Sequence, residues 1–135
     1  MWSRDYAAAI LRSQHALTIA ERAFGEAHPQ TAAFRHNLGV SYRLEGRLKA
    51  AEALLSASLA TTTAAFGPRA VERQLALMTL GVLELARRDY PAAKSYFQQS
   101  LDILTAKNPR LDAEAWLVLQ GLGDVALAAG DLAEF

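Results

Sequence analysis

Side chains that could catalyse a reaction or bind a metal are few in this sequence and poorly spaced for either task. Cysteine is absent from the 135 residues, which excludes a disulfide scaffold, a zinc–thiolate site and a cysteine nucleophile. The three histidines are His15, His28 and His36. None belongs to the HxxxH or HExxH pattern that presents two ligands on one helix face. The serines and the threonine run at 61–63 lack a histidine–aspartate arrangement that would make a nucleophile. We therefore expect no enzyme activity, no metal and no cofactor.

The charge balance argues against nucleic acid and membrane partners. Lys+Arg and Asp+Glu are both 14, so the formal net charge is zero and no overall field attracts a polyanion. The densest basic segments, 43–49 and 87–89, each contain an acidic residue and are interpreted as solvated helix ends. No apolar run reaches the roughly 20 residues needed to span a bilayer, and the first residues lack a signal-peptide core. These features favour a cytoplasmic location.

A repeated pattern organises the chain. The Leu-Gly pairs at 38–39, 80–81 and 122–123 are evenly spaced by 42 residues. Ala9, Ala51 and Ala93 follow the same step, as do Leu17, Leu59 and Leu101. Several residue types share one period without slippage, which indicates a true internal repeat.

Apolar residues at helical spacing, interrupted by glycine and proline, divide each period into two helices. We predict helices over residues 6–24, 31–45, 48–66, 71–87, 90–106 and 111–129, with a short stub at 131–135. The predicted breaks are Gly25, Gly46, Gly67, Arg88, Asn108 and Gly130. Asp5, Asp89 and Asp131 have the residue type of an N-cap. Helix pairs of this kind approach closely only through small residues, so we expect Gly39 to face Ala51 and Gly81 to face Ala93.

The motifs within each period resemble those of the tetratricopeptide repeat. The first complete unit carries Asn37-Leu38-Gly39, Tyr42, Gly46-Arg47-Leu48, Ala51 and Leu55. The second matches through Leu80-Gly81, Asp89-Tyr90, Ala93 and Phe97, and the third through Leu122-Gly123 and Gly130-Asp131-Leu132. The 42-residue spacing is similar to the longer-helix variety of kinesin light chains.

This resemblance implies an all-α fold, a right-handed superhelical solenoid of about three repeats. We expect one domain over 1–135, with a partial unit at 5–28, units at 29–67 and 70–108, and a truncated unit at 111–135. By its register, the first predicted helix corresponds to the second helix of a repeat, and the sequence ends within the second helix of the last repeat. We therefore interpret the chain as a fragment of a longer repeat protein. The alternative is a small protein that shields its ends by self-association.

The resemblance also implies a non-catalytic module that binds a protein or peptide in a groove formed by the first helix of each repeat. The ligand-facing positions would be His36, Asn37, Val40, Arg43, Met78, Thr79, Val82, Gln120, Gly121 and Asp124. Asn37 matches the peptide-backbone clamp of many such repeats, and Arg43 could pair with a carboxylate. The groove would then take a segment with an acidic group and apolar side chains. The alternative is a structural spacer or self-association segment of a larger regulatory or scaffold protein, joined through exposed repeat ends.

Overall fold

A computed structural model describes residues 2–107 and 113–130, and that part of the chain is all-α. Its six α-helices are α1 (Trp2–Phe24), α2 (Pro29–Glu45), α3 (Leu48–Phe66), α4 (Gln74–Ala86), α5 (Tyr90–Lys107) and α6 (Ala113–Ala129). A 3-10 turn at Val71–Arg73 precedes α4. No strand occurs among these residues, so the predicted all-α class and the six helices are confirmed.

Helix starts differ from the prediction where the local signal was ambiguous. The first helix begins at Trp2, so Asp5 lies inside it and the predicted N-cap there is wrong. The second begins at Pro29, a residue tolerated in a first turn because its missing N–H would have no helical partner. His28 caps that helix, and its Nδ1 accepts a hydrogen bond from Gln30 N at 3.0 Å. Asp89 caps α5 as predicted, accepting from Ala92 N at 3.2 Å.

Three predicted features lie outside the described residues. These are the break at Asn108, the start of the last helix at Leu111, and the stub at 131–135 with its cap Asp131.

Two helix ends show why glycine is favoured but not required at the break. Gly46 has φ +89° and its N–H bonds to Arg43 O, while Arg47 N bonds to Tyr42 O. Arg88, one period later, has φ +65° and repeats both bonds, to Leu85 O and, through Asp89 N, to Glu84 O. The same left-handed cap therefore ends both helices, although a side chain at this φ costs free energy that glycine avoids.

The chain forms two compact units, Met1–Pro68 and Arg69–Phe135. In the first, α2 packs against both α1 and α3. In the second, α5 packs against both α4 and α6. Phe97 and Val118 are fully or almost fully buried in the second unit, in one cluster with Ala93, Leu104, Ala115 and Val125.

The glycines of the first two Leu-Gly pairs, Gly39 and Gly81, lie at helix crossings, one in each unit. A β-carbon at Gly39 would meet Leu55 Cγ at 2.8 Å and the Ala51 carbonyl oxygen at 3.4 Å. At Gly81, the three nearest atoms all belong to the Phe97 ring, at 2.7–2.9 Å. Each glycine thus makes room mainly for a bulky side chain, Leu55 or Phe97. That side chain lies one helical turn after the alanine that we expected to find opposite the glycine.

Candidate ligand-binding surface

On α2, the residues predicted to face a ligand form one helical stripe. His36, Val40 and Arg43 are four and three residues apart, the spacing that places side chains on one face. They are half-buried, and Asn37 beside them is exposed. The neighbouring Leu38 and Gly39 are buried. The helix therefore packs through one side and presents this stripe on another.

His36 does not supply a positive charge to this stripe at neutral pH. Burial lowers the pKa of His36 below its ordinary value, and a side-chain hydrogen bond with Asn37 acts in the opposite direction. Since the ordinary value is already below 7, the imidazole is mostly neutral there. Arg43 is thus the charged member of the stripe.

Arg43 differs from Arg35 and Arg47, the two arginines that the first unit pairs with acidic side chains. Its Nε is buried and has no hydrogen-bond partner among the described residues. Arg35 donates to Glu26 O at 2.8 Å and pairs with Glu21 at 3.7 Å. Arg47 lies over the Tyr42 ring, 4.4 Å from its centroid, and pairs with Glu45.

The residues of the second unit that were predicted to face a ligand are not all exposed. Thr79 is buried, and its hydroxyl donates to Leu75 O at 2.8 Å. Met78 is half-buried and Val82 is exposed. The structure therefore does not place Thr79 on the exposed surface expected of it.

On α6, Gln120 and Asp124 are exposed, whereas Gly121 has a packing role. A β-carbon at Gly121 would lie 2.7 Å from the Phe97 ring, so this glycine makes room for that ring; a ligand-facing role for it stays a prediction. Large apolar side chains surround these polar residues on the helix surface. Trp116, Leu117 and Leu127 are 62%, 54% and 66% exposed.

An apolar groove of about 680 Å³ lies between α5 and α6. Its walls include Tyr90 and Leu101 from α5, and Leu119, Leu122 and Ala129 from α6. Gly123 has nothing within 4 Å of an added β-carbon among the described residues. In the two preceding periods, the corresponding glycine is covered by Leu55 or Phe97.

Two absences hold for the described residues only. No group of three or more histidine, aspartate or glutamate side chains there could hold a metal ion. Within the same ranges, no helix is long and apolar enough to cross a membrane.

The sequence also matches a known family over most of its length. The tetratricopeptide repeat family model matches residues 1–64 and, in an overlapping second match, residues 35–106. The chain belongs to the tetratricopeptide-repeat family. No curated protein sequence matches it significantly.

Solved structures with the same fold include other tetratricopeptide-type proteins. The crystal structure of BtubC (BKLC) from P. vanneervenii is 24% identical, with a TM-score of 0.87 over 98% of this chain and 53% of that chain. The crystal structure of a Podosopora anserina putative kinesin light chain with nearly identical TPR-like repeats is 20% identical, with a TM-score of 0.87. The match covers 98% of this chain and 63% of that one. A crystal structure of a single-substitution variant of the Podosopora anserina protein is also 20% identical, with a TM-score of 0.86. That match covers 98% of this chain and 62% of the variant's chain.

This tetratricopeptide-repeat chain thus spans between half and two thirds of the length of these relatives. The likeness confirms the predicted solenoid class and, at the level of fold, the kinesin light chain-like variety. A chain that is a fragment of a longer repeat protein is consistent with these proportions.

Sequence reasoning missed three features of this tetratricopeptide-repeat chain. They are the cap formed by His28, the groove between α5 and α6, and the buried Nε of Arg43. His28 could have been recognised from its place directly before Pro29, and its ring also stacks on Phe24 at a centroid distance of 4.9 Å. The other two depend on how helices pack and have no local signal.

Proposed function

We propose that this chain is a non-catalytic module that binds a peptide segment of a partner protein on the first helices of its repeats, α2, α4 and α6. The single observation that carries the proposal is Asn37, an exposed amide on α2 between the half-buried His36 and the buried Leu38. A side-chain amide both donates and accepts, so it can pair with a peptide group in either sense. The family relationship supports protein binding in general.

Residues beside Asn37 on α2 support a segment with mixed chemistry, since Val40 is half-buried there. In the second unit, taken by itself, α4 offers the apolar side chains of Met78 and Val82. Arg43 adds a positive charge. We therefore expect a partner segment with some apolar side chains and at least one acidic group.

A cytoplasmic location of the protein also remains a prediction.

A peptide array tests the proposal without knowledge of the partner. Ten-residue peptides of varied sequence would be probed with the full chain, and the strongest binders titrated by calorimetry. We expect dissociation constants of about micromolar, or about −8 kcal/mol, because ordering a flexible segment opposes binding. Asn37→Ala should weaken binding, whereas Lys49→Ala, an exposed change on α3, should not. Equal affinity of Asn37→Ala and wild type would contradict the assignment.

The groove between α5 and α6 favours self-association as a second candidate function. In this proposal, α1 of a second copy occupies the groove. The 42-residue step places Ala9 of α1 in the register of Ala51 and Ala93, so α1 has the register of the helices that close the two hairpins. Burial of apolar walls would supply the free energy, and exposed apolar patches of this kind commonly mark interaction sites.

Two adjacent alanines give a matched test of self-association. Ala129 lines the groove and Ala128 does not, although both are exposed in the last turn of α6. Sedimentation velocity over a range of concentrations should show association that Ala129→Glu abolishes and Ala128→Glu retains. A wild-type chain that stays monomeric throughout would reject this second function.

A further inference from the structure

One face of α6 is open, whereas the matching faces of α2 and α4 are covered by the helix that follows each of them. On α6 this face carries Trp116, which is 62% exposed, and Gly123, which is half-buried. We call the surface around these two residues the open face of α6. The residues in register with them in the earlier periods are all buried: Ala32 and Gly39 on α2, and Gln74 and Gly81 on α4.

In the first unit, α3 covers the face of α2 through three positions. Ser58 Oγ donates to Ala32 O at 2.7 Å. A β-carbon at Gly39 would meet Leu55 Cγ at 2.8 Å and the Ala51 carbonyl oxygen at 3.4 Å. The three contact residues of α3 are therefore Ala51, Leu55 and Ser58, and all of them are buried.

In the second unit, α5 covers α4 through the same three positions. Gln74 Nε2 donates to Ser100 Oγ at 3.3 Å, and the Phe97 ring lies against Gly81. Ala93 is in register with Ala51 and is also buried. One helix pair in each unit thus shows the same pattern of contact.

These three positions also occur on α1, where they are only partly covered. The 42-residue step places Ala9, Ser13 and Ala16 in register with the contact residues of α3 and α5. Within the first unit α1 packs against α2, and these three residues are nevertheless only half-buried. We call them the contact face of α1. The chain therefore has one helix with a partly used contact face and another whose matching face is open.

We propose that the contact face of α1 in one copy of the chain lies on the open face of α6 in a second copy, antiparallel to it, as α3 lies on α2. This inference rests on the self-association proposed above and specifies the two surfaces that meet. Because these surfaces differ, the contact is heterologous. Each copy offers one surface of each kind.

The groove between α5 and α6 borders the open face, so the two form one docking surface. Leu119 and Ala126 line the groove. They are in register with Leu77 and Glu84, which are buried on α4. A helix that covers the open face would also bury apolar walls of the groove, and burial of apolar surface supplies free energy of association.

Side-chain sizes favour α1 as the occupant of this surface. In the register of the earlier pairs, Trp116 lies opposite Ala16. The serines in register with Ala16 each need a hydrogen-bond partner on the helix that they cover, whereas alanine needs none and leaves room for the indole ring. Gly123 lies opposite Ser13. Since this serine is smaller than the leucine or phenylalanine of the earlier pairs, the two helices can approach closely there.

Two arginine substitutions block the two surfaces separately. Gly123→Arg blocks the open face of α6, and the folded chain should tolerate it because a β-carbon there meets nothing within 4 Å among the described residues. Ala16→Arg blocks the contact face of α1, and Ala9→Arg replaces it if circular dichroism shows that Ala16→Arg does not fold. Ala128→Arg on α6 and Ala8→Arg on α1 add the same side chain at exposed positions and are the matched controls.

Sedimentation velocity of the full chain over a range of concentrations provides the measurement. The wild type and the two controls should associate as the concentration rises. Gly123→Arg and Ala16→Arg should each remain monomeric alone. An equimolar mixture of the two should form a 1:1 complex and nothing larger, because each variant keeps the surface that the other has lost.

Three results would overturn the inference. If the wild type stays monomeric at every concentration, the self-association function fails together with it, and the open face belongs to a different protein. If Ala129→Glu abolishes association and Ala16→Arg does not, self-association through the groove stands and α1 is not the occupant. If both blocked variants are monomeric and their mixture is monomeric as well, the contact joins identical surfaces and is not heterologous.

Discussion

The ring of Phe97 lies directly against Gly121, where an added β-carbon would come within 2.7 Å of Cε1 and Cζ. The same ring lies against Gly81 of α4. Phe97 on α5 therefore fits between two glycines on two different helices and is almost completely buried. The close packing of all three helices in the second unit depends on this arrangement.

The glycine pair on α6 allows a sharp test of this packing. Gly121→Ala should destabilise the chain by about 1–3 kcal/mol, because the new methyl group overlaps an aromatic ring held on all sides. Gly123→Ala, two residues later, places its β-carbon more than 4 Å from every neighbour in the described part of the chain and should stabilise by up to about 1 kcal/mol through helix propensity. Urea unfolding followed by circular dichroism measures both. Equal shifts for the two variants would show that Phe97 does not restrict position 121.

A buried serine joins α3 to α2 in the first unit. Ser58 Oγ donates to Ala32 O at 2.7 Å, so Ser58→Ala should cost about 1 kcal/mol, the typical net value of one hydrogen bond. Ser56→Ala changes an exposed residue of the same helix and should have little effect. Denaturant midpoints of the two variants give the comparison, and an unchanged midpoint for Ser58→Ala would mean that the bond adds no net stability.

The start of α2 depends on a histidine cap. His28→Ala removes both the acceptor for Gln30 N and the stacking on Phe24, and should cost about 1 kcal/mol. His28→Asn restores a good cap and should recover part of the loss. His15→Ala, on the exposed surface of α1, is the control. Thermal unfolding should separate the three variants, and a His28→Ala melt identical to wild type would rule out the cap as a stabilising feature.

Stability should fall at mildly acidic pH because of His36. Burial lowers the pKa of His36 in the folded chain, so the unfolded state binds a proton first as the pH drops below about 6.5. Linkage then favours unfolding. The stability is fully present above that pH and is lost as the pH falls towards the folded-state pKa. Urea midpoints at pH 7.5, 6.5 and 5.5 should show a smaller fall in His36→Gln than in wild type. Parallel pH profiles would contradict this role.

The sequence by itself determined the repeat, the helix count and most helix ends. The bounds of α3 agree with the prediction at both ends, and Asp89 caps α5 as expected. These features rest on local physics: apolar spacing near 3.6 residues, the left-handed preference of glycine, and a side-chain oxygen that reaches an N–H three residues later. The predicted N-cap of α1 at Asp5 was wrong because a residue of a type that caps helices can equally lie within one.

Tertiary structure decided which of the candidate residues are available to a ligand. In the folded chain, Thr79 is buried, Gly121 packs against Phe97 and Asn37 is exposed. The Nε of Arg43 is buried and has no hydrogen-bond partner among the residues that the structure describes. The helical period predicts which face of a helix a residue occupies. Whether its side chain is buried depends on the side chains of the neighbouring helix at the same level along the axis. Gly121 illustrates the difference: it lies outside the register of Gly39 and Gly81, and only the approach of the Phe97 ring from α5 makes a side chain there unacceptable.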